Sequence, residues 1–274
     1  MAFQLSGTVN NNNVFLVKRS ELEGRLDPDY IKYLRKTQHY AFPAISLGNM
    51  LRCRPQYGAN EPGLPRVDIK QPRYIRITDI DEFGILNQEL GATAANVEEK
   101  YVLVDGDLLL ARSGNTVGKA YLHTPKDYMC FFAGYMIRFK INEEIALPSY
   151  VFTVTQLGIY KEWVTAVQRS AGQPNINAEE YRNYKLPLPP LNVQKTIVSK
   201  ISAAYTDKKQ KEAQAQQLLD SFPASLLKHA GIEVPDLIYK KYFYISSKEL
   251  DGPLNPERYS VSFKEQASWI PIPI

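Results

Sequence analysis

The sequence predicts an α+β protein, in which a mixed, strand-rich domain is followed by one long, coiled-coil-forming helix. Short apolar stretches alternate with turn residues through 45–170, which is typical of a domain built mainly from strands. A proline run, Leu186-Pro-Leu-Pro-Pro190, then leads in an extended conformation to apolar residues with heptad spacing. The chain has 274 residues, of which 44% are hydrophobic, so it can bury a substantial core.

The cysteine content and the hydropathy of the chain argue against a structural zinc site and a membrane anchor. Cys53 and Cys130 are the only cysteines, and neither lies in a CxxC or Cys/His spacing. We find no secretory signal and no apolar run of about 18 residues, so we expect a cytoplasmic protein without a membrane partner. The formal net charge of +4 permits nucleic-acid binding, which depends on whether basic residues cluster on one face.

A pattern near the start of the chain recurs near its end. Residues 14–17 are predicted to form a short strand, and Asp27 and Pro28 mark a helix start as its cap and first residue. The segment 15–29 matches 243–257 at a constant offset, with Glu, Leu, Gly, Leu and Pro identical. We therefore interpret the chain as one complete unit followed by the opening of a second. Its predicted parts are a domain over 1–190, a helix over 191–230 and a truncated second unit over 231–274.

The central region is predicted to contain five strands and one covering helix. The strand over 73–80 alternates, which would turn Ile75 and Ile77 toward the core. Two further strands, 101–104 and 107–112, would pair around a turn at Asp105-Gly106. The remaining predicted elements are strands over 120–122 and 131–141 and a helix over 148–167.

A glycine-rich loop, Arg112-Ser-Gly-Asn-Thr-Val-Gly-Lys119, is the sharpest local motif. Its glycines would let backbone N–H groups approach a ligand, and its first and last residues supply positive charge. Ser113 and Asn115 add short hydrogen-bonding groups. We exclude a nucleotide-binding P-loop because the glycines are one position too close together and Ala120 stands where that motif needs a hydroxyl. A plain glycine turn with solvated flanking charges remains the alternative.

A long helix is predicted from Leu191 onward, with Pro190 in its first turn and Gly231 as its left-handed C-terminal residue. From residue 191 to 222 it would be about 50 Å long at a rise of ~1.5 Å per residue, which calls for a partner helix. Lys208 and Lys211 interrupt its apolar seam, and Pro223 should end the paired segment. The residues predicted to face the partner are Ile197, Ile201, Ala204, Ala215, Leu218 and Phe222.

The order of these segments resembles the specificity (S) subunit of type I restriction–modification systems. The resemblance rests on the loop Gly172-Gln-Pro-Asn-Ile176, the proline run, Gln194 and the heptad helix. It implies a target recognition domain that binds one half of a bipartite, double-stranded DNA target, and a spacer helix that pairs with a second copy. A full S subunit contains two such units in tandem, so the resemblance implies a half-length form with the start of a second unit.

Within that resemblance, three regions supply candidate DNA-binding residues. The outward face of the strand 73–80 offers side chains that can reach a phosphate, a sugar or a base, with a solvated strand face as the alternative. The loop 112–119 would contact phosphates or bases. Amides in the loop 172–176 are of the type that pairs with adenine in the major groove, with a simple turn as the alternative. The predicted DNA-binding residues are Tyr74, Arg76, Thr78, Arg112, Ser113, Asn115, Lys119, Gln173 and Asn175.

The chain carries no motif for methyl transfer, so we expect a non-catalytic subunit. An amino-methyltransferase needs Asn/Asp-Pro-Pro-aromatic, and Asp27-Pro-Asp-Tyr30 and Asn255-Pro-Glu-Arg258 both lack the second proline. We expect no cofactor and no metal in this chain. The resemblance implies partner methyltransferase subunits, which carry S-adenosylmethionine, a nuclease/translocase subunit that can join them, and a homodimer formed through the long helix. The alternatives are a protein-interaction module with a globular head on a coiled-coil arm, or a recognition fragment of a fused restriction–methylation enzyme.

Overall fold

The computed structural model describes residues 16–17, 19, 28–37, 39–87, 90–168 and 174–231. The chain divides into two units, Met1–Tyr205 and Thr206–Ile274, and each is described by itself. The predicted cap Asp27, the candidate residue Gln173 and the repeated segment 243–257 lie outside the described residues. Leu16 and Val17, the described part of the first predicted strand, are not in a strand.

Five α-helices and ten short β-strands are present in the described ranges. The helices are α1 (Pro28–Thr37), α2 (Pro148–Thr155), α3 (Gly158–Val167), α4 (Ala178–Arg182) and α5 (Leu191–His229). The strands are β1 (Ala44–Ser46), β2 (Gln56–Tyr57), β3 (Leu64–Pro65), β4 (Arg73–Ile75), β5 (Ala92–Thr93), β6 (Leu108–Ala111), β7 (Ala120–Leu122), β8 (Cys130–Phe132), β9 (Met136–Phe139) and β10 (Lys185–Pro187). The predicted α+β class is confirmed.

The strands form three sheets within the first unit. One antiparallel sheet has the order β2-β9-β6-β7, and a second has the order β3-β5-β4-β8, in which β4 and β8 are parallel. The extended proline run contributes β10, which pairs with β1 so that Leu186 lies opposite Ile45. The chain passes from the second sheet to the first between β8 and β9, at Gly134 and Tyr135.

Strand β6 lies between two apolar clusters. Leu108 and Leu110 belong to the main core under α2 and α3, whereas Leu109 packs with the cluster around Ile75 and Phe132. Because both faces of the strand are covered, its sequence is a continuous apolar run rather than an alternating one.

A buried ion pair links β9 to the residue directly before β6 in the first sheet. Arg138 Nη1 on β9 lies 3.1 Å from Asp107 Oδ2, just before β6, and both side chains are almost fully buried. The same guanidinium donates to the carbonyls of Val102 and Lys100, each at 2.8 Å, and to the side chain of Gln56. Since every partner is in place, the charges are compensated inside the domain.

Several predicted elements are shorter or broken in the structure. The strand 73–80 stops after Ile75 and continues as a 3₁₀ turn, Ile77–Asp79. The predicted strand 101–104 is replaced by a 3₁₀ turn, Glu99–Tyr101, and a single bridge from Val102 to Phe131. It therefore does not pair with β6, although the glycine of the predicted turn, Gly106, has a positive φ of 80°.

Two long elements were predicted as continuous and are split. The strand 131–141 is two strands, β8 and β9, because the chain changes sheets between them. The helix 148–167 is two helices, α2 and α3, separated where Leu157 adopts an extended conformation directly before Gly158. Both breaks depend on tertiary packing rather than on local hydrophobic spacing.

The long helix begins at Leu191, as predicted, and has 39 residues. In the first unit it is tied to the domain by Gln194, whose Oε1 accepts from Leu147 N at 2.8 Å and whose Nε2 donates to Pro189 O at 2.8 Å. Ile197, predicted to face a partner helix, instead packs against the main core of its own domain. The helix continues through Pro223 to His229, close to the predicted 191–230, so the loss of one N–H donor is tolerated there. That the paired segment ends at Pro223 stays a prediction.

In the second unit, the apolar residues of α5 are exposed. Leu218 and Phe222 are 71% and 63% exposed, and Leu219 and Leu226 are exposed beside them. The lysines of the seam form ion pairs one turn apart, Lys211 with Asp207 at 2.7 Å and Lys208 with Glu212 at 3.6 Å. Of the other predicted seam residues, Ile201 is half-buried and Ala204 and Ala215 are exposed. No helix in the described ranges is long and apolar enough to cross a membrane.

Candidate nucleic-acid interface

Two buried tyrosines hold the ends of the glycine-rich loop 112–119. Tyr181 Oη on α4 donates to Ala111 O at 2.6 Å, directly before the loop. Tyr160 Oη on α3 donates to Gly118 O at 2.9 Å, near its other end. Burial raises the pKa of both hydroxyls, so they keep their protons and act as donors at neutral pH.

These tyrosines belong to an aromatic cluster that joins α3 and α4. The ring of Trp163 lies 5.7 Å from Tyr160, 5.6 Å from Tyr181 and 4.7 Å from Tyr184, measured between centroids. All four side chains are almost fully buried. The loop is therefore attached to an almost fully buried aromatic cluster, which limits its freedom to move.

The glycines of the loop serve the fold rather than a ligand. Gly114 and Gly118 have φ values of 81° and 86°, a region that other residues rarely adopt. Their N–H groups donate within the protein, from Gly114 to Pro174 O at 3.1 Å and from Gly118 to Ala111 O at 2.9 Å. A Cβ on Gly118 would lie 2.6 Å from Val164 Cγ2. The N–H groups of these two glycines are therefore paired within the protein, and contact of the loop with a ligand stays a prediction.

The structure brings the two predicted loops together. Ser113 and Asn175 form an antiparallel bridge, and Ile176 N donates to Arg112 O at 2.8 Å. Asn177 then caps α4, because its side chain accepts from Glu180 N at 2.9 Å while the Glu180 carboxylate accepts from Asn177 N. The exposed side chain of Asn175 is thus placed beside the glycine-rich loop by a rigid helix start.

An open groove of about 470 Å³ lies where these segments meet. Its lining includes Tyr57, Gly58, Asn60, Arg112, Ser113, Gly134, Tyr135, Pro174 and Asn175. The carbon of the Arg112 guanidinium lies 4.9 Å from the centroid of the Tyr57 ring, a cation–π contact. The Nε of Arg112 is buried without a hydrogen-bond partner in the described residues.

The chemistry of the groove suits a ligand with flat rings and acceptor oxygens. Arg112 can present a fork of N–H donors to a phosphate or to a guanine edge. Tyr57 and the largely exposed Tyr135 offer faces for stacking, and Asn60 and Asn175 offer amides. Tyr57 is held in position because its hydroxyl oxygen accepts from Ala178 N at 3.2 Å.

The predicted residues of the strand 73–80 do not line this groove. Tyr74 is only 3% exposed, stacks on Phe131 at 4.7 Å between centroids and donates its hydroxyl to Ala59 O at 2.7 Å. It was predicted to face outward, but β4 is an inner strand with apolar clusters on both faces, so alternation does not reach solvent here.

Arg76 and Thr78 follow that strand in and around the 3₁₀ turn. Arg76 Nη2 lies 2.9 Å from Asp79 Oδ1, and this pairing raises the pKa of the guanidinium. The positive charge of Arg76 is therefore matched by an almost fully buried carboxylate. Thr78 is exposed within the turn and is not among the groove residues.

Lys119 also has a partner inside the protein. Its Nζ donates to Ile80 O at 2.7 Å, which ties the end of the glycine-rich loop to the segment after the 3₁₀ turn. Lys119 does not line the groove in which Arg112 meets Ser113 and Asn175. Asn115 is exposed in the same loop, outside the groove lining.

Three lining residues, Tyr57, Asn60 and Tyr135, were not singled out from the sequence. Each lies close to a glycine, in the segment Tyr57-Gly-Ala-Asn60 at the end of β2 and in the turn Gly134-Tyr135. An aromatic beside a glycine is a weak signal in a chain with 18 tyrosines. The strand order β2-β9-β6 brings Tyr57 near Arg112, and the crossing between the sheets brings Tyr135, whose carbonyl accepts from Arg112 N at 2.9 Å.

The chain thus combines an α+β domain, an open groove that contains Arg112, and a long helix with exposed apolar residues. The family model described as "Type I restriction modification DNA specificity domain" matches residues 74–219. Since this is more than half of the chain, the protein belongs to that family. The match includes most of β4, the glycine-rich loop and most of α5.

Solved structures of type I systems are similar to the chain over about half of their own length. The HsdS subunit from Thermoanaerobacter tengcongensis matches with 19% identity and a TM-score of 0.46, covering 73% of this chain and 54% of that one. The type I restriction–modification S subunit from M. genitalium matches with 11% identity and a TM-score of 0.42, covering 70% and 49%. A chain from a study of assembly and conformational transition of the type I R-M system matches with 18% identity and a TM-score of 0.45, covering 72% and 53%. Among curated proteins, none matches the chain.

Proposed function

We propose that the chain is a sequence-recognition subunit of a type I restriction–modification complex, and that its groove contacts one half of a bipartite DNA target. The observation that carries the proposal is the meeting of Arg112, Ser113 and Asn175 at one open groove. Membership of the DNA specificity family supports the same function. Arg112 contacts a phosphate or a guanine edge, and Asn175 reads a base through its amide.

The chain acts without chemistry of its own in this proposal. Methyltransferase subunits, which carry S-adenosylmethionine, dock on the domain and the helix, and a nuclease/translocase subunit joins them. The complex works in the cytoplasm, where its DNA is found. The absence of the Pro-Pro-aromatic motif from the sequence supports this division of labour.

We further propose that two copies pair through α5 in an antiparallel, two-fold arrangement. The support is the exposed apolar stripe of Leu218, Leu219, Phe222 and Leu226. Each such side chain buried against a second copy contributes roughly 1.5–3 kcal/mol. The pairing of Lys211 with Asp207 reduces the repulsion between lysines that an antiparallel dimer brings together.

Salt-dependent DNA binding tests the recognition proposal. Fluorescence anisotropy of the purified chain with duplex DNA should show affinity that falls steeply with salt, because neutralised phosphates release counterions. Arg112→Ala should weaken binding. If Arg112 contacts a phosphate, the slope of log affinity against log salt concentration should also become shallower by about one. Lys161→Ala is the matched control: it removes one exposed positive charge on α3 and should leave binding unchanged. Absence of DNA binding at low salt would favour the protein-interaction module instead.

Selection of bound sequences from a random pool tests base reading and symmetry together. Asn175→Ala should relax the preference at one position of each half-site. A two-fold dimer should select an interrupted palindrome, whereas an asymmetric site would contradict the symmetry. Light scattering supplies the independent readout: the wild-type chain should be a dimer and L218E/F222E a monomer. A strict monomer at tens of micromolar, with and without methyltransferase, would overturn the dimer.

A further inference from the structure

A second cavity in the first unit contains a cluster of positive charge that the recognition groove does not use. It has a volume of about 390 Å³ and is lined in part by Arg66, Arg73 and Lys126, together with Asn87 and Tyr128. Arg73 is the first residue of β4, and Arg66 directly follows β3 in the same sheet. The two cavities have no lining residue in common.

Arg66 is buried, with only 4% of its surface exposed, and it is held rigidly. Its Nε donates to Gln71 O at 2.8 Å, its Nη1 to Leu90 O at 3.1 Å and its Nη2 to Ile69 O. Its guanidinium also stacks over the ring of Tyr128 at 4.3 Å. These partners are neutral, so they satisfy hydrogen bonds but leave the positive charge uncompensated.

Arg73 is buried more deeply, at 2% exposure, and is less well satisfied. Its Nη2 donates to Asn87 Oδ1 and its Nη1 lies 3.4 Å from Tyr128 Oη, while its Nε has no partner in the described residues. Neither arginine forms an ion pair with a described residue, including Asp68 and Asp127. Glu89, which lies between the lining residues Asn87 and Leu90 in the sequence, is outside the described residues.

Two buried guanidinium groups that form no ion pair with any described residue are energetically unusual. Arginine does not lose its proton in proteins, so burial cannot neutralise it as it neutralises a lysine. A buried charge that lacks a counter-charge is strongly unfavourable. The exposed ammonium of Lys126 adds a third positive charge at the rim. Burial raises the pKa of the Cys130 thiol, and all three cations act on that thiol in the opposite direction with a smaller effect.

We propose that this cavity binds a phosphate group between Arg66, Arg73 and Lys126. An oxyanion placed there compensates both buried charges and accepts a hydrogen bond from the exposed ammonium of Lys126, which closes the site on the solvent side. The phosphate belongs either to a small phosphate ester or to a DNA backbone. The site does not depend on the groove of Arg112, because it is built from a different sheet.

Binding of inorganic phosphate tests the site without DNA. Calorimetry should show saturable binding of phosphate to the wild-type chain at constant ionic strength, and phosphate should raise the melting temperature relative to chloride. Lys126→Ala removes an exposed side chain and should fold normally while weakening phosphate binding several-fold. Arg73→Met should abolish the phosphate-dependent rise in melting temperature. Lys161→Ala, which removes an exposed charge elsewhere, should bind phosphate like the wild type.

Random-sequence duplex DNA distinguishes the two sources of phosphate. If DNA competes with inorganic phosphate and Lys126→Ala weakens both, the ligand is a backbone phosphate. If Lys126→Ala loses phosphate binding with DNA affinity unchanged, the ligand is a small phosphate ester. Either result supports the site. Absence of saturable phosphate binding by the folded wild-type chain would overturn it. Phosphate binding by Lys126→Ala and Arg73→Met that equals binding by the wild type would overturn it as well. A failure of DNA binding alone would affect only the recognition proposal.

Discussion

Ser113 and Asn175 form an antiparallel bridge that joins the glycine-rich loop to the segment preceding α4. The neighbouring bond from Ile176 N to Arg112 O, at 2.8 Å, extends the same contact. These bonds connect the groove residues of the two segments, and Tyr181 fixes the start of the loop through its bond to Ala111 O at 2.6 Å. A substitution in the glycine-rich loop should therefore alter the position of the segment before α4, and the reverse should also hold.

Lys119 should matter for stability more than for DNA binding. Its Nζ donates to Ile80 O at 2.7 Å, and hydrogen bonds from charged groups contribute about 1.5–3 kcal/mol. We expect Lys119→Ala to lower the free energy of unfolding by about 1–3 kcal/mol, measured by urea denaturation. Lys161→Ala should stay within about 0.5 kcal/mol of the wild type. A reduced salt slope of DNA binding with unchanged stability would instead assign Lys119 to a phosphate.

The buried pair of Asp107 and Arg138 should be costly to break from one side. Arg138→Met leaves the Asp107 carboxylate buried without its cation, and such losses typically cost about 3–5 kcal/mol. Denaturant unfolding should show that decrease, and D107L/R138M should recover part of it because no unpaired charge remains. The exposed pair of Asp207 and Lys211 is the comparison: Lys211→Ala should cost about 0–1 kcal/mol. Equal effects for the two pairs would contradict the role of burial.

His123 should make the domain less stable in mild acid. Burial lowers its pKa from the usual 6.5, and the nearby Lys126 acts in the same direction. Below pH 6.5 the unfolded chain therefore binds a proton that the folded chain does not, so stability falls as the pH drops through 6.5 and toward the lower, folded pKa.

The contribution of His123 is isolated by comparing variants. His123→Gln loses the contact of Nδ1 with Tyr121 Oη at 3.1 Å, yet its stability should fall less steeply than that of the wild type as the pH drops below 6.5. His39→Gln, at an exposed position, should follow the wild-type profile. Melting temperatures measured across this range give the slopes, and parallel slopes for His123→Gln and the wild type would refute the assignment.

Gly118 should resist substitution, whereas Gly158 should accept it. An alanine at 118 requires a positive φ and places Cβ 2.6 Å from Val164 Cγ2, so Gly118→Ala should destabilise the domain by more than about 1 kcal/mol. Nothing lies within 4 Å of a Cβ at 158, in the first turn of α3, so Gly158→Ala should be neutral or slightly stabilising. Thermal unfolding of the two variants gives the comparison, and a similar loss in both would show that backbone flexibility matters more than the Val164 contact.

Features that depend on residues close together in the sequence were predictable from the sequence. The strands β6 and β7, the turn at Gly106 and the start of α5 at Leu191 follow from local apolar runs, glycine and proline. The predicted DNA-binding residues Arg112, Ser113 and Asn175 line the groove, whereas Tyr74 is buried. Alternation along a strand tells which side chains share a face, but it does not tell whether that face meets solvent or a second core.

The sequence by itself therefore determined the α+β class, the position of the glycine-rich loop and the long helix, since each arises from local conformational preference and hydrophobic spacing. Only the tertiary structure decided that β8 and β9 belong to different sheets, that Lys119 is bound to Ile80, and that Tyr57 and Tyr135 lie beside Arg112. The physical reason is that these contacts join segments far apart in the chain. Their partners are selected by how the sheets and helices pack against one another, which no single segment encodes.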